Sequence, residues 1–227
     1  MIRGAPIGKR FEHCTFENFD VTDDNREAYG ACKRVAEEGV SGVLIRGKNG
    51  LGKTHLLVAM MKEYDRRNSF IPNEAEPHVD MHAVPPAMEL IESASRQSDQ
   101  PDEIPSLSRD EIETLAHVEY WPMLDLTSEL RSDIAQGSQA TSTRCRECDL
   151  LVLDDFGAER ATDFVLEELV RIVDWRYRTM KLMAVATNLD FKSIVAKYGS
   201  RAISRWFEAC LVVGVTGEDR RASTGPV

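Results

Sequence analysis

Apolar and polar positions fall into two kinds of block along this chain. Short apolar runs of strand length occur at Gly42–Ile45, Val118–Leu124, Leu150–Leu153, Lys181–Thr187 and Leu211–Val215. Between them, apolar residues recur at helical spacing. The first such stretch carries Ala28, Cys32, Val35 and Ala36; Thr22-Asp23-Asp24-Asn25 offers N-cap chemistry before it and Gly39 a C-cap after it. A second runs from Lys53 to about Arg66 with Leu56, Leu57, Met60, Met61 and Tyr64 on one face. Residues 162–178 form a third, with Leu166, Leu169, Val170, Val173 and Tyr177 expected to face inward. Shorter helices are predicted at Thr127–Ile134, Phe191–Lys197 and Ser200–Cys210, and residues 136–144 read as a polar connection. Apolar strands alternating with helices predict an α/β fold, a parallel sheet covered on both faces. There is no internal repeat.

One span breaks the pattern. Residues 69–116 hold eleven carboxylates against Arg96 and Arg109, a balance of −9, together with six of the nine prolines. Most of it reads as loop, with a possible strand at His78–Ala83 and a helix at Pro86–Arg96. It is expected to be an acidic insertion in a single domain spanning 1–227. The whole chain carries −10, so the remainder is close to neutral, and the usual argument from acidity against nucleic acid applies only to the insertion. The longest apolar runs are about six residues, far short of a membrane span. The first residues have no apolar stretch of signal-peptide length. Five cysteines argue against a disulfide framework and for the reducing cytoplasm.

The strongest chemical signal is Gly47-Lys48-Asn49-Gly50-Leu51-Gly52-Lys53-Thr54, between a predicted strand and a predicted helix. Glycines in such a loop let successive N–H groups converge on an anion, and the helix that follows adds its positive end. Lys53 is expected to reach the β- and γ-phosphates of ATP and Thr54 to ligate Mg²⁺. Gly47, Asn49, Gly50, Leu51, Gly52, Lys53, Thr54 and His55 make up the expected nucleotide-binding stretch. Lys53 reads as an exposed loop charge, and the His55 ring as a packed side chain. Asp154 and Asp155 end a buried strand, where ligands of parallel sheets gather. Asp154 is the expected Mg²⁺-side acid and Asp155 the activator of the attacking water; the competing reading is an N-cap pair. Asn188 ends the next apolar strand, either holding that water or closing a turn.

Arg201 and Arg205 lie one helical turn apart, and either suits a phosphate of a neighbouring subunit or a solvated face. Arg220 and Arg221 follow the last strand and could contact nucleotide within the same subunit. Cys145 and Cys148 have knuckle spacing but no second pair nearby, so no zinc site is predicted. Arg171, Arg176, Arg178 and Lys181 cluster around a helix C-terminus, where dipole compensation explains them without a partner.

Taken together, Thr15-Phe16-Glu17-Asn18-Phe19, the 47–56 loop, Asp149–Gly157, Ala186-Thr187-Asn188-Leu189 and Tyr198–Arg205 resemble the AAA+ ATPases of the DnaC and DnaI helicase loaders and the related IstB transposition helpers. The resemblance covers about 1–66 and 145–221. It implies a three-layer αβα P-loop core. By matching position, Lys53 and Thr54 belong to Walker A, Asp154 and Asp155 to Walker B, and Asn188 to sensor I. Arg205, with Arg201 beside it, matches the arginine finger, and Arg221 sensor II. It also implies an open spiral or ring of identical subunits, single-stranded DNA as a ligand, and a replicative helicase as partner. A transposase would replace the helicase in the IstB-like alternative, and a low-turnover nucleotide switch is a third reading. On this resemblance the core is expected to begin almost at Met1, without the usual N-terminal partner-binding domain, and little room is expected after Arg221 for a helical lid.

Overall fold

The computed structural model describes residues 1–39, 41–68, 116–159, 162–217 and 219, without the side chains of Arg201 and Ala202. The strand and helix expected within 69–116, and Arg220 and Arg221, lie outside the described residues.

Among the described residues, six parallel strands make one sheet in the order β1-β3-β4-β5-β2-β6. They are β1 (Ile2–Gly4), β2 (Gly42–Arg46), β3 (Val118–Pro122), β4 (Leu150–Phe156), β5 (Leu182–Thr187) and β6 (Cys210–Gly214). Successive strand side chains point to opposite faces, and each face meets its own apolar layer. Val43, Ile45, Val118, Tyr120, Val152, Ala184 and Ala186 pack on α1 (Arg26–Glu38) and α2 (Lys53–Asn68). Leu44, Trp121, Leu151, Leu153, Met183 and Val185 pack on the opposite layer. That layer is α3 (Met123–Ala135), α4 (Ala140–Glu147), α5 (Asp163–Arg178), α6 (Phe191–Tyr198) and α7 (Ser200–Ala209). The predicted α/β, three-layer architecture is therefore the observed one. Among the described residues, no helix is long and apolar enough to cross a membrane.

Four local expectations need correction. The N-terminus adds strand β1, which pairs with β3 in the register Ile2 to Val118. It is anchored by the terminal ammonium, which pairs with Asp65 and donates to the Ala116 carbonyl. At three residues it is too short to show a period. Helix α3 starts at Met123, directly after Pro122, four residues before the predicted start. Helix α4 occupies the predicted polar connection and buries only Thr141, Ser142 and Cys145, so it offers no apolar stripe. Finally, the inward face of α5 is Val165, Leu169, Ile172, Val173 and Arg176, while Leu166, Val170 and Tyr177 are half-buried. Tyr177 reaches outward instead, its hydroxyl donating to Glu208.

Arg176 is the reason for that rotation. Predicted to sit in a surface cluster, it is 0 % exposed. Its guanidinium donates to the carbonyls of Cys145 (2.9 Å), Arg146 (3.2 Å), Cys148 (2.9 Å), Asp149 (3.2 Å) and Leu182. Carbonyls at the end of a helix lack intrahelical partners, and one buried arginine supplies them for α4 while tying α4 to β5. Burial lowers the pKa of the guanidinium and raises those of the Cys145 and Cys148 thiols, the latter to about 11. The rest of the expected cluster is divided among neighbours: Arg171 pairs with Glu167 and Glu168, Arg178 with Asp174, and Lys181 with Asp149.

Candidate nucleotide site

Strands β2, β4 and β5 are adjacent and parallel, so their carboxyl ends meet at one edge. From β2 the chain enters the glycine loop. Gly50 and Gly52 take φ of +78° and +87°, which disfavour any side chain. A methyl at Gly52 would also stand 2.9 Å from the Phe19 ring, and one at Gly50 would collide with the Asp219 carboxylate. The Gly47 amide donates to the Thr187 carbonyl at 3.1 Å, which fastens the start of the loop to the end of β5.

Lys53, expected to be exposed, is only 5 % exposed. Its ammonium donates to the carbonyls of Gly47 (2.9 Å) and Lys48 (2.8 Å) and so braces the loop that it follows. An ammonium is buried when its donors are engaged, and here backbone carbonyls engage two of them.

Asp154 is 4 % exposed. One carboxylate oxygen accepts the Asp155 N–H at 2.9 Å, and the other accepts the Tyr120 hydroxyl at 3.3 Å. The side chain of Thr54 is also hydrogen-bonded to it. Burial raises its pKa, the neighbouring Asp155 charge raises it further, and those hydrogen bonds oppose the shift. Asp155 is exposed and takes φ +52°, at an irregularity in the β4–β5 ladder between Leu153 and Phe156. The adjacent carboxylates have opposite fates: Asp154 is buried against Thr54, and Asp155 is open on the cleft. Asn188 is exposed, and its amide donates to the Asn49 side chain at 3.4 Å.

A cleft of about 280 Å³ adjoins Asn49, Gly50, Gly52, Lys53, Thr54, His55 and Asp155. Its far wall was not identified from the sequence. It comes from the N-terminal segment: Arg10 and Phe11 of a 3-10 turn, then His13, Cys14, Asn18, Phe19 and Asp20. Asn18 shapes this wall by accepting the Thr15 N–H (2.9 Å) and donating to the His13 carbonyl (2.7 Å). Phe19 stacks on Tyr29 and meets the His55 ring edge-on at 5.0 Å. His55 is partly buried and hydrogen-bonded to the Thr15 carbonyl at 2.9 Å. The available signal was the Thr15–Phe19 string itself, which appeared in the resemblance but carried no assigned role.

Lys53, Thr54, Asp154, Asp155 and Asn188 thus share one sheet edge. Arg205 does not join them. It lies on α7, paired with Asp174 of α5, with its guanidinium 5.8 Å from the centre of the Tyr177 ring. Arg201 is in the same helix.

Residues 11–72 match the model of the bacterial DnaA ATPase domain. The chromosomal replication initiator DnaA of Campylobacter jejuni is 49 % identical over 51 residues, covering 20 % of this chain and 12 % of that protein. The chain therefore spans a small part of the length of the curated relatives it matches. The fold matches the DnaC helicase loader with a TM-score of 0.65 at 17 % identity, over 92 % of this chain and 100 % of that one. It matches a replication initiator DnaA bound to AMPPCP and single-stranded DNA with a TM-score of 0.64 at 21 % identity, over 91 % of this chain and 51 % of that one. The resemblance carried by the sequence motifs is matched in the architecture: this chain has the AAA+ ATPase fold of DnaA and of the DnaC-type helicase loaders.

Proposed function

We propose that this chain is a Mg²⁺-dependent AAA+ ATP hydrolase that assembles on single-stranded DNA and uses its nucleotide state to control a replicative helicase. The observation that carries the ATPase reading is the convergence of Lys53, Thr54, Asp154, Asp155 and Asn188 beside a glycine loop and a cleft. The Thr54 hydroxyl against the buried Asp154 carboxylate is an all-oxygen pair of the kind Mg²⁺ prefers. When bound, that ion would neutralise charge on the phosphate oxygens. Lys53 would trade its loop carbonyls for phosphate oxygens. Asp155, open on the cleft, would accept a proton from the attacking water, and the Asn188 amide would orient that water. The Phe11–Asp20 wall would enclose the rest of the nucleotide. Arg205 lies outside its own chain's cleft, which supports action on the nucleotide of an adjoining copy, with Asp174 holding it until then.

The DNA and helicase parts of the reading rest on relatives of the same fold, one a helicase loader and one a DnaA bound to single-stranded DNA. Phosphate release by the purified chain, with and without Mg²⁺ and single-stranded DNA, tests the hydrolase. Turnover that requires Mg²⁺ and disappears in Lys53→Ala is expected; its absence in the wild type refutes the assignment. Affinity capture from the native host tests the partner, and recovery of a transposase in place of a helicase would refute that part.

A further inference from the structure

The segment that leaves Asp155 is tied down far more tightly than a surface turn needs. Glu159 is buried, with both carboxylate oxygens engaged. Oε1 pairs with the Lys197 ammonium at 2.8 Å and accepts the Tyr198 hydroxyl; Oε2 accepts the Gly157 N–H at 3.0 Å. The Lys197 ammonium donates to the Gly157 carbonyl at 2.9 Å and the Glu159 carbonyl at 2.6 Å. Nearer Asp155, its own carbonyl accepts the Ala158 N–H at 3.0 Å, and the Thr187 hydroxyl donates to the Phe156 carbonyl at 2.6 Å. The five residues from Asp155 to Glu159 are therefore held along their length.

Lys197 and Tyr198 end α6, and α7 follows after Gly199 alone. The Phe156 ring stacks on Tyr198 (4.4 Å between centroids) and meets Trp206 of α7 edge-on (4.6 Å). Tyr198 thus grips the turn twice, through its ring at Phe156 and its hydroxyl at Glu159. A left-handed aspartate persists only where the surroundings over-determine it, and these links supply that determination on its C-terminal side.

We propose that Glu159 is a positioning residue: with Lys197 and Tyr198 it forms a buried latch that sets the Asp155 carboxylate in the cleft and makes the Asp155 turn and α7 move as one body. The catalytic half rests on the ATPase reading above; the mechanical half does not. A latch of this kind links the state of the cleft to the helix that carries Arg205. Among the described residues, the hydrogen bonds and ion pair of Glu159, Lys197 and Tyr198 stay within the turn and α6 and do not reach the glycine loop, so the latch acts on the orientation of Asp155 rather than on nucleotide affinity.

The test uses the full chain with two variants, Glu159→Gln and the double variant Glu159→Gln/Lys197→Met, which removes both charges of the pair. Hydrogen–deuterium exchange is read first. Faster exchange at 156–158 together with the hydrogen-bonded amides of α7 from Ile203 onward, in both variants, is expected; unchanged exchange overturns the latch. Steady-state kinetics are read second. A misplaced catalytic group costs on the order of 10²-fold, so kcat is expected to fall roughly 10–100-fold with KM for ATP within about twofold. The double variant should regain thermal stability without regaining kcat. Recovery of kcat along with stability, or a loss confined to KM, overturns the positioning role. If the wild type hydrolyses no ATP, the ATPase reading fails and the positioning role with it, while the exchange result still decides the mechanical half.

Discussion

Replacing Arg176 by alanine distinguishes two pictures of the same residue. As a surface cation near a helix C-terminus it would contribute ~0.3–1 kcal/mol. In the structure it is fully buried and serves five carbonyls from α4, the segment after it and β5. Hydrogen bonds from a charged donor contribute roughly 1.5–3 kcal/mol each when taken singly. They share one guanidinium whose desolvation, visible in its lowered pKa, offsets part of the sum. Breaking such a buried charged network by removing one side costs about 3–5 kcal/mol, a large part of the roughly 5–15 kcal/mol that a domain possesses. For a domain of this size that corresponds to a fall in Tm on the order of 10 °C. Arg176→Lys keeps the charge but has only three donors on one centre, so it should recover less than half of the loss. Urea unfolding followed by circular dichroism is the assay, with the midpoint falling and the slope preserved. A destabilisation below about 1 kcal/mol in Arg176→Ala would return the residue to the surface-cation class and refute the strut.

Three further outcomes follow from the cleft. Burial disfavours the charged form of Asp154, so its ionisation opposes folding: its contribution falls as pH rises through the unfolded-state pKa towards the raised folded one. Asp154→Asn should therefore raise Tm at neutral pH, with the gain vanishing in acid below the ordinary aspartate range, while Mg²⁺-dependent turnover is lost; a Tm that falls at neutral pH contradicts this. Asp155 stands at φ +52°, where glycine is unstrained, so Asp155→Gly should keep or slightly raise Tm and lower kcat by at least about 10²-fold; near-normal turnover would remove Asp155 from the water-activating role. Arg205→Ala should retain ATP binding and lose on the order of 10³-fold in turnover, and mixing it with Lys53→Ala should restore activity at interfaces that pair an intact cleft with an intact arginine; no restoration across a titration rejects action between subunits.

The sheet was legible because parallel strands buried on both faces are continuous apolar runs, as Leu150–Leu153 and Lys181–Thr187 show. The sheet-edge side of the site was legible for a related reason. Lys53, Thr54, Asp154, Asp155 and Asn188 each follow a recognisable strand, and parallel strands bring such ends together. What escaped shares a different physical character. The Phe11–Asp20 wall is set by side chain–backbone bonds around Asn18, which have no period. The inward arc of α5 was read too far towards Tyr177 because a charged residue, Arg176, occupies the core position beside it. Lys53, Glu159 and Arg176 were all assigned by polarity to the surface or to no role, and all three are buried. Much of what stabilises them is main chain: carbonyls of Gly47 and Lys48, the amide of Gly157, five carbonyls around Arg176. Every residue except proline presents the same donor and acceptor, so a main-chain partner leaves no mark on residue identity. A buried charge that bonds to backbone is consequently indistinguishable, in sequence, from one that faces water. It becomes visible only when the fold shows which peptide groups lack partners of their own, and in this chain those groups lie at the end of α4, in the glycine loop and in the turn that follows Asp155.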